Sequence, residues 1–133
     1  VKSQTDPRWH HIIVDDISTD GTWAEINKNI SNDERFTQIR NTEKKFALKN
    51  IIDACNSIED PEAVIGVIDG DDSLCNINTV RLILDEYEKG NDVVWTGHRW
   101  DINNINISRE MPRTVNPYQW PWSASHFRTF RLS

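Results

Sequence analysis

Residues 63–68, AVIGVI, form a nearly unbroken apolar run that leads straight into aspartates at 69, 71 and 72. A strand covered on one face alternates apolar and polar side chains, so a continuous run marks a strand buried on both faces, as inside a parallel sheet. Such a sheet needs helices between its strands. HIIV (11–14) and DVVWTG (92–97) read as two more strands, and FTQIR (36–40) alternates like a short one. Between them, TWAEINKNI (22–30) has helix-compatible composition. FALKNIIDACNSI (46–58) sets Phe46, Ile51, Ile52, Cys55 and Ile58 near helical spacing, with Glu59 and Pro61 closing it. NTVRLILDEYEKG (78–90) is amphipathic, with an Asn at its start and Gly90 past its end. The alternation of strand and helix predicts an α/β domain with a mostly parallel sheet flanked by helices. Beyond residue 100 the pattern dissolves: DINNINIS predicts a loop or hairpin, and MPRTVNPYQWPW, rich in proline, an irregular surface segment.

Length and charge narrow the class. A chain of 133 residues is about one domain. The formal net charge of -6, from 15 Lys and Arg against 21 Asp and Glu with no basic run, argues against a nucleic-acid surface or an anionic membrane patch. No apolar stretch approaches the roughly 18 residues of a membrane span. Cys55 and Cys75 have neither metal-ligand spacing nor the density of a disulfide scaffold, so both read as reduced thiols in or near the core, and the location as cytoplasmic. The N-x-S sequons at Asn29 and Asn106 read as chance matches. A first residue Val and a last stretch, HFRTFRLS, without turn signal suggest a piece of a longer protein, truncated at both ends.

Two apolar strands run into carboxylates, IIVDD at 12–16 and VIGVIDGDD at 64–72. Parallel strands end on one edge of a sheet, where open α/β folds bind ligands, so Asp15, Asp16, Asp20, Asp69, Asp71 and Asp72 are expected to line one crevice. Each close like-charge pair costs about 1 kcal/mol in water and more as the site dries. No Lys or Arg run lies beside either cluster, so a hard divalent cation, Mg²⁺ or Mn²⁺, is the natural counter-charge, and it opens the pocket to an anionic phosphate ligand. The bland alternative for Asp15, Asp16 and Asp20 is helix capping and an Asx turn at Gly21.

Other motifs compete. DISTDG (16–21) fits the start of an EF-hand loop, but Asn27 stands where the last ligand Glu belongs and a strand precedes it. VIDGDDSL (67–74) resembles the nucleophile loop of haloacid-dehalogenase-type phosphatases, with Asp69 as nucleophile. Asp72 and Ser73 replace that family's usual Gly and Thr, and Lys89 is the last lysine, so the downstream Lys is missing. The same lack weakens a response-regulator reading. Neither a dinucleotide glycine motif nor a P-loop is present.

Taken together, VDDISTDGT (14–22) and VIDGDDSL resemble the paired hallmarks of family 2 glycosyltransferases, a VDDGSTDGT-like loop and a D-x-D-D loop. KSQTDPRWHHIIVDD is similar to that family's approach to its second strand. The resemblance covers about residues 2–100. It implies a GT-A, Rossmann-like fold, with residues 1–100 the nucleotide-sugar-binding part and 101–133 the start of an acceptor-side segment. It implies that Asp16 bonds the base, commonly uracil, while Asp15 supports the loop. Asp69 and Asp71 match the D-x-D pair, the first near the ribose and the second on the Mn²⁺ or Mg²⁺ that bridges the diphosphate, with Asp69 also counted as a metal ligand; Asp72 orients sugar or metal waters. Lys49 falls where the family has the Arg of an A-A-R-N segment, with a solvated helix lysine as the alternative.

The loop NTEKKFALKN lacks the family's usual glycines, and its P-x-Y-N first strand is not in this chain. The resemblance puts the carboxylate general base beyond Ser133, and neither Asp101 nor Glu110 is assigned that role. PWSASHFRTFR (121–131) resembles the segment before the base, with His126 and Arg128 near acceptor or phosphate, and a structural histidine as the alternative for His126. Of six tryptophans, Trp95 reads as core, and Trp120 and Trp122 as acceptor contacts or packing. The implied function is metal-dependent, inverting transfer from a nucleotide-diphosphate sugar, most simply a UDP-sugar, to a saccharide or other hydroxyl. The rivals are a phosphotransferase using Asp69 and a non-catalytic nucleotide-sugar-binding module.

Overall fold

The computed structural model describes residues 1–30, 32–108, 114–116 and 127–132. They divide into two compact units: Val1–Asp60 with Asn76–Arg81, and Pro61–Cys75 with Leu82–Ser133.

The first unit is built on a β-α-β-α run. Strand β1 (His11–Asp15) is followed by helix α1 (Thr22–Ile30), strand β2 (Phe36–Arg40) and helix α2 (Phe46–Asn56). β1 and β2 pair in parallel, His11 opposite Phe36 and Asp15 opposite Arg40. α1 turns inward the face carrying Trp23, Ile26 and Ile30, of which Ile30 is buried; the i, i+3, i+7 spacing is what a helix lying on a sheet requires. The N-terminal segment is tied down by Gln4, 7% exposed. Its side chain donates to the Asn76 carbonyl at 2.8 Å and accepts the Val80 N–H at 3.0 Å, while Thr5 N donates to the Ile77 carbonyl at 2.8 Å. One buried amide thus satisfies an otherwise orphaned N–H in the first turn of the helix that begins at Thr79.

The second unit holds strand β3 (Val64–Val67), most of helix α3 (Thr79–Glu88), strand β4 (Val93–Trp95) and strand β5 (Arg128–Arg131). α3 buries Ile83 and Tyr87 and half-buries Val80 and Leu84. It ends at Gly90, whose φ of 89° suits glycine alone and whose N–H bonds the Tyr87 carbonyl. β5 lies between β3 and β4 and is antiparallel to both. Thr129, at 1% exposure, is the tightest point of this unit: its hydroxyl accepts from the Tyr87 phenol at 2.9 Å and donates to the Val94 carbonyl at 2.7 Å. Gly66 interrupts the apolar run of β3 because the Phe127 ring lies over it, with two ring carbons 3.0 Å from where a Cβ would stand.

The α/β architecture and every strand and helix predicted before residue 100 are present. The mostly parallel sheet is matched only in part. The described strands form one parallel pair and one antiparallel triplet, because β5, which no sequence signal announced, inserts between β3 and β4. Cys75 is exposed rather than near the core, and Cys55 is half-buried; both are free thiols. Among the described residues no helix is long and apolar enough to cross a membrane.

Candidate functional site

The loop that leaves β1 is organised by its own aspartates. Asp15, the last residue of β1, has a fully buried carboxylate. Its Oδ1 accepts the Ser18 N–H at 2.9 Å. Its Oδ2 lies 3.2 Å from Arg40 Nε, close enough for an ion pair but without the alignment of a hydrogen bond, so that oxygen has no hydrogen-bond partner. Arg40 also reaches the Ser18 carbonyl and lies 5.5 Å over the Trp23 ring. Asp20 accepts the Thr22 N–H at 2.9 Å, an Asx turn that starts α1, and bonding to Thr22 holds its carboxyl below the usual range.

Asp16 serves a different helix. α2 has Lys45 at its N-cap and no local side-chain cap. Instead the Asp16 carboxylate takes the Lys45 N–H on Oδ1 at 2.9 Å and the Phe46 N–H on Oδ2 at 2.9 Å. Asn41 adds a bond to Oδ1 at 2.7 Å, and Lys44 Nζ stands 3.5 Å from Oδ2. The Lys45 N–H first, then Asn41, Phe46 N–H and Asn50, keep this carboxyl well below the ordinary carboxylate range. Oδ1 is therefore saturated, and Oδ2 is the oxygen with acceptor capacity left for a ligand N–H, in competition with Lys44.

These contacts revise the counter-charge argument for the first cluster. Arg40 and Lys44 neutralise Asp15 and Asp16. They were invisible to a search beside the motif because they come from β2 and from the loop before α2. Asn41 and Asn50 were missed as well; Asn41 bonds Asp16, Asn50 and, through its N–H, the Asp15 carbonyl. The signal for them was the repeated basic-Asn pair, Arg40-Asn41 and Lys49-Asn50. Lys49 pairs with Asp53 one turn along α2, an acid it shares with Lys45 at 3.0 Å. Those two lysines, Lys49 first, hold the Asp53 carboxyl low.

The second cluster belongs to the other unit. Two residues past the end of β3 the chain turns, with Asp72 N–H donating to the Asp69 carbonyl at 3.0 Å, and Asp69, Asp71 and Asp72 are all exposed. Among the described residues no three His, Cys, Asp or Glu side chains converge as a ready cation cage. Mg²⁺ and Mn²⁺ need none: one or two carboxylates, completed by water and phosphate, hold them. Exposed Asp69 and Asp71 are hard oxygen donors of the kind such a site takes. His126, Glu110, Trp120 and Trp122 lie outside the described residues.

A cavity of about 310 Å³ lined by Val1, Lys2, His11, Asn29, Ile30 and Phe36 lies at the start of β1, the end of the strand away from Asp15. It has no part in either acidic loop.

Comparison with known proteins gives one result. A family model described as Glycosyl transferase family 2 matches residues 1–132, while no curated protein and no solved structure matches significantly. That family carries the GT-A fold and transfers sugars from nucleotide-sugar donors to acceptors. With the match spanning both acidic loops and essentially the whole chain, this protein belongs to the family 2 glycosyltransferases.

Proposed function

We propose that the chain binds a UDP-sugar with Mn²⁺ or Mg²⁺ and takes part in inverting transfer of the sugar to a hydroxyl acceptor, in the cytoplasm. The observation that carries the metal and diphosphate assignment is the turn Asp69–Asp72: three exposed carboxylates directly after a strand, with Asp71 and Asp69 as the metal-holding pair. Asp16 is the residue for the base. It is held ionised, and its Oδ2 accepts the uracil N3–H in place of the Lys44 contact. Asp15 keeps the loop in shape through Ser18, and Lys49, on the first turns of α2, exchanges its Asp53 partner for phosphate. Asp72 orients the sugar.

When bound, the cation supplies Lewis-acid stabilisation of the departing diphosphate. In the displacement, the bond from the acceptor oxygen to the anomeric carbon forms as the bond from that carbon to phosphate breaks, and the hydroxyl proton passes to a general base. We assign that base to none of the described residues.

Calorimetry decides the donor site. UDP binding is expected to require Mn²⁺ and to weaken at least about tenfold in Asp71→Ala, the loss of about 1.4 kcal/mol or more. Equal UDP affinity with Mn²⁺, with EDTA and in the variant rules out the assignment. Slow release of free sugar from UDP-sugar then separates an enzyme from a binding module.

A further inference from the structure

β1 and β2 are parallel and in register, Asp15 opposite Arg40, so the residues that follow them, Asp16 and Asn41, leave the pair at the same edge. Asn41 N–H donates to the Asp15 carbonyl at 3.0 Å and carries the ladder one step past the strands. That step sets the Asn41 amide against the Asp16 carboxylate. Asn41 Nδ2 donates to Asp16 Oδ1 at 2.7 Å and to Asn50 Oδ1 at 2.8 Å, which uses both of its hydrogens. Asn50 lies one turn into α2, and its side chain also bonds the Asp16 carboxylate. All three side chains are half-buried and belong to the first unit.

The backbone alone does not fix Asp16. The two N–H groups on its carboxylate, from Lys45 and Phe46, both belong to the start of α2, so by themselves they would let Asp16 follow that helix. Asn41 ties it to the end of β2 as well, and the Asn41 bond to Asn50 closes the triangle back to α2. The choice of amides matters. Each is a neutral donor, so the carboxylate is oriented without a further cation to neutralise it, and a hydrogen bond to a charged acceptor is worth more than one between neutral groups. Asn41 and the Lys45 N–H fill Oδ1 from within the protein. The oxygen with capacity left for a ligand N–H is Oδ2, whose cation, Lys44, is on an exposed side chain.

We infer that Asn41 and Asn50 are positioning residues for base recognition: as a pair they hold the Asp16 carboxylate with Oδ1 committed to the protein and Oδ2 left to the nucleotide base, and so set the preference for a base that presents a ring N–H over one that presents a bare ring nitrogen. The role in base recognition rests on the donor site proposed above; the orientation of Asp16 by the pair rests on the hydrogen bonds alone.

Calorimetry with UDP and with CDP, each with Mn²⁺, tests the pair, because the two ligands share ribose and diphosphate and differ in the ring: uracil N3 carries the hydrogen that Oδ2 accepts, and cytosine N3 is itself an acceptor. Asn41→Ala should weaken UDP about tenfold and CDP no more than about twofold, so that the preference for UDP collapses. Asn50→Ala, which puts a strong helix former into α2 and keeps the Asn41 bond to Asp16, should show the same split at about threefold for UDP. A general loosening of the fold would weaken both ligands alike. Equal losses for UDP and CDP, or no loss, in the two variants overturn the inference, while UDP binding by the parent keeps the donor site. The carboxyl ¹³C signal of Asp16 adds a readout that needs no ligand: its titration should move up toward the ordinary carboxylate range in Asn41→Ala, because the charged form loses a donor. If the parent binds no UDP, the donor reading fails and the role in base recognition with it, while that shift still shows the pair orienting Asp16. An unmoved titration overturns the orientation as well.

Discussion

Ile17 and Phe46 both occupy left-handed backbone, with φ of 65° and 63°. A side chain with a Cβ gives up about 1–2 kcal/mol there, and a β-branched one is a true outlier. Ile17 stands where the VDDGSTDGT-like hallmark has glycine, and Phe46 opens α2 in the stretch that lacks the family's glycines. The loop shapes persist because the acids hold them: Asp15 fixes Ser18 just past Ile17, and Asp16 takes the Phe46 N–H. Phe46 is the cleaner place to measure the strain, since the residue is 70% exposed and contributes little burial, whereas Ile17 at 37% would forfeit packing. Phe46→Asn, which tolerates this backbone without glycine's entropy, should raise stability by about 1 kcal/mol in urea denaturation. Phe46→Ala, which keeps the penalty, should not. Equal midpoints for Asn and Ala would show that no such strain is stored.

The helices were legible wherever one face had to be apolar. Trp23, Ile26 and Ile30 in α1, and Val80, Ile83, Leu84 and Tyr87 in α3, keep the spacing that a sheet-facing stripe demands. What caps α2 was not legible, because the acceptor is supplied by Asp16, in a loop on the far side of β2. β5 was equally hidden: Arg-Thr-Phe-Arg is too short and too charged to announce a strand, and its order comes from pairing on both edges. The α2 cap sets a pH response. The folded carboxyls of Asp16, Asp20 and Asp53 lie below their unfolded values, so what they contribute is present above about pH 4 and lost as pH falls through the folded values. Burial lowers His11 in the same direction, adding a loss that begins below about pH 6.5. Thermal melts followed by far-ultraviolet circular dichroism should fall steadily on acidification from neutrality. Asp16→Asn should melt lower than the parent at neutral pH, and the gap should narrow as pH falls below about 4. A constant gap between the two proteins at every pH would show that the charge of Asp16 is not what caps α2.

At the scale of the whole molecule, the two acidic motifs were readable because each is a short local run after an apolar strand. Their surroundings were not, since Arg40 and Lys44 reach the first from later in the chain. The division of the chain sharpens the difference between the loops. Asp15 and Asp16, in the first unit, are already neutralised and bonded; Asp69 and Asp71, in the second, are exposed on a short turn. A metal-bound diphosphate should therefore change the second loop far more than the first. Hydrogen exchange with and without UDP and Mn²⁺ reads this directly. Amides of 69–74 should slow by about tenfold or more, as expected when a turn open to water acquires a ligand. Those of 16–20 should slow less, because the Asp15 bond to Ser18 and the Asx turn at Asp20 already restrain them. Mn²⁺ alone should protect neither loop strongly, since two carboxylates without phosphate leave most of its coordination to water. Protection confined to 16–20 would place the diphosphate away from Asp71 and remove the metal assignment, while leaving the family membership untouched.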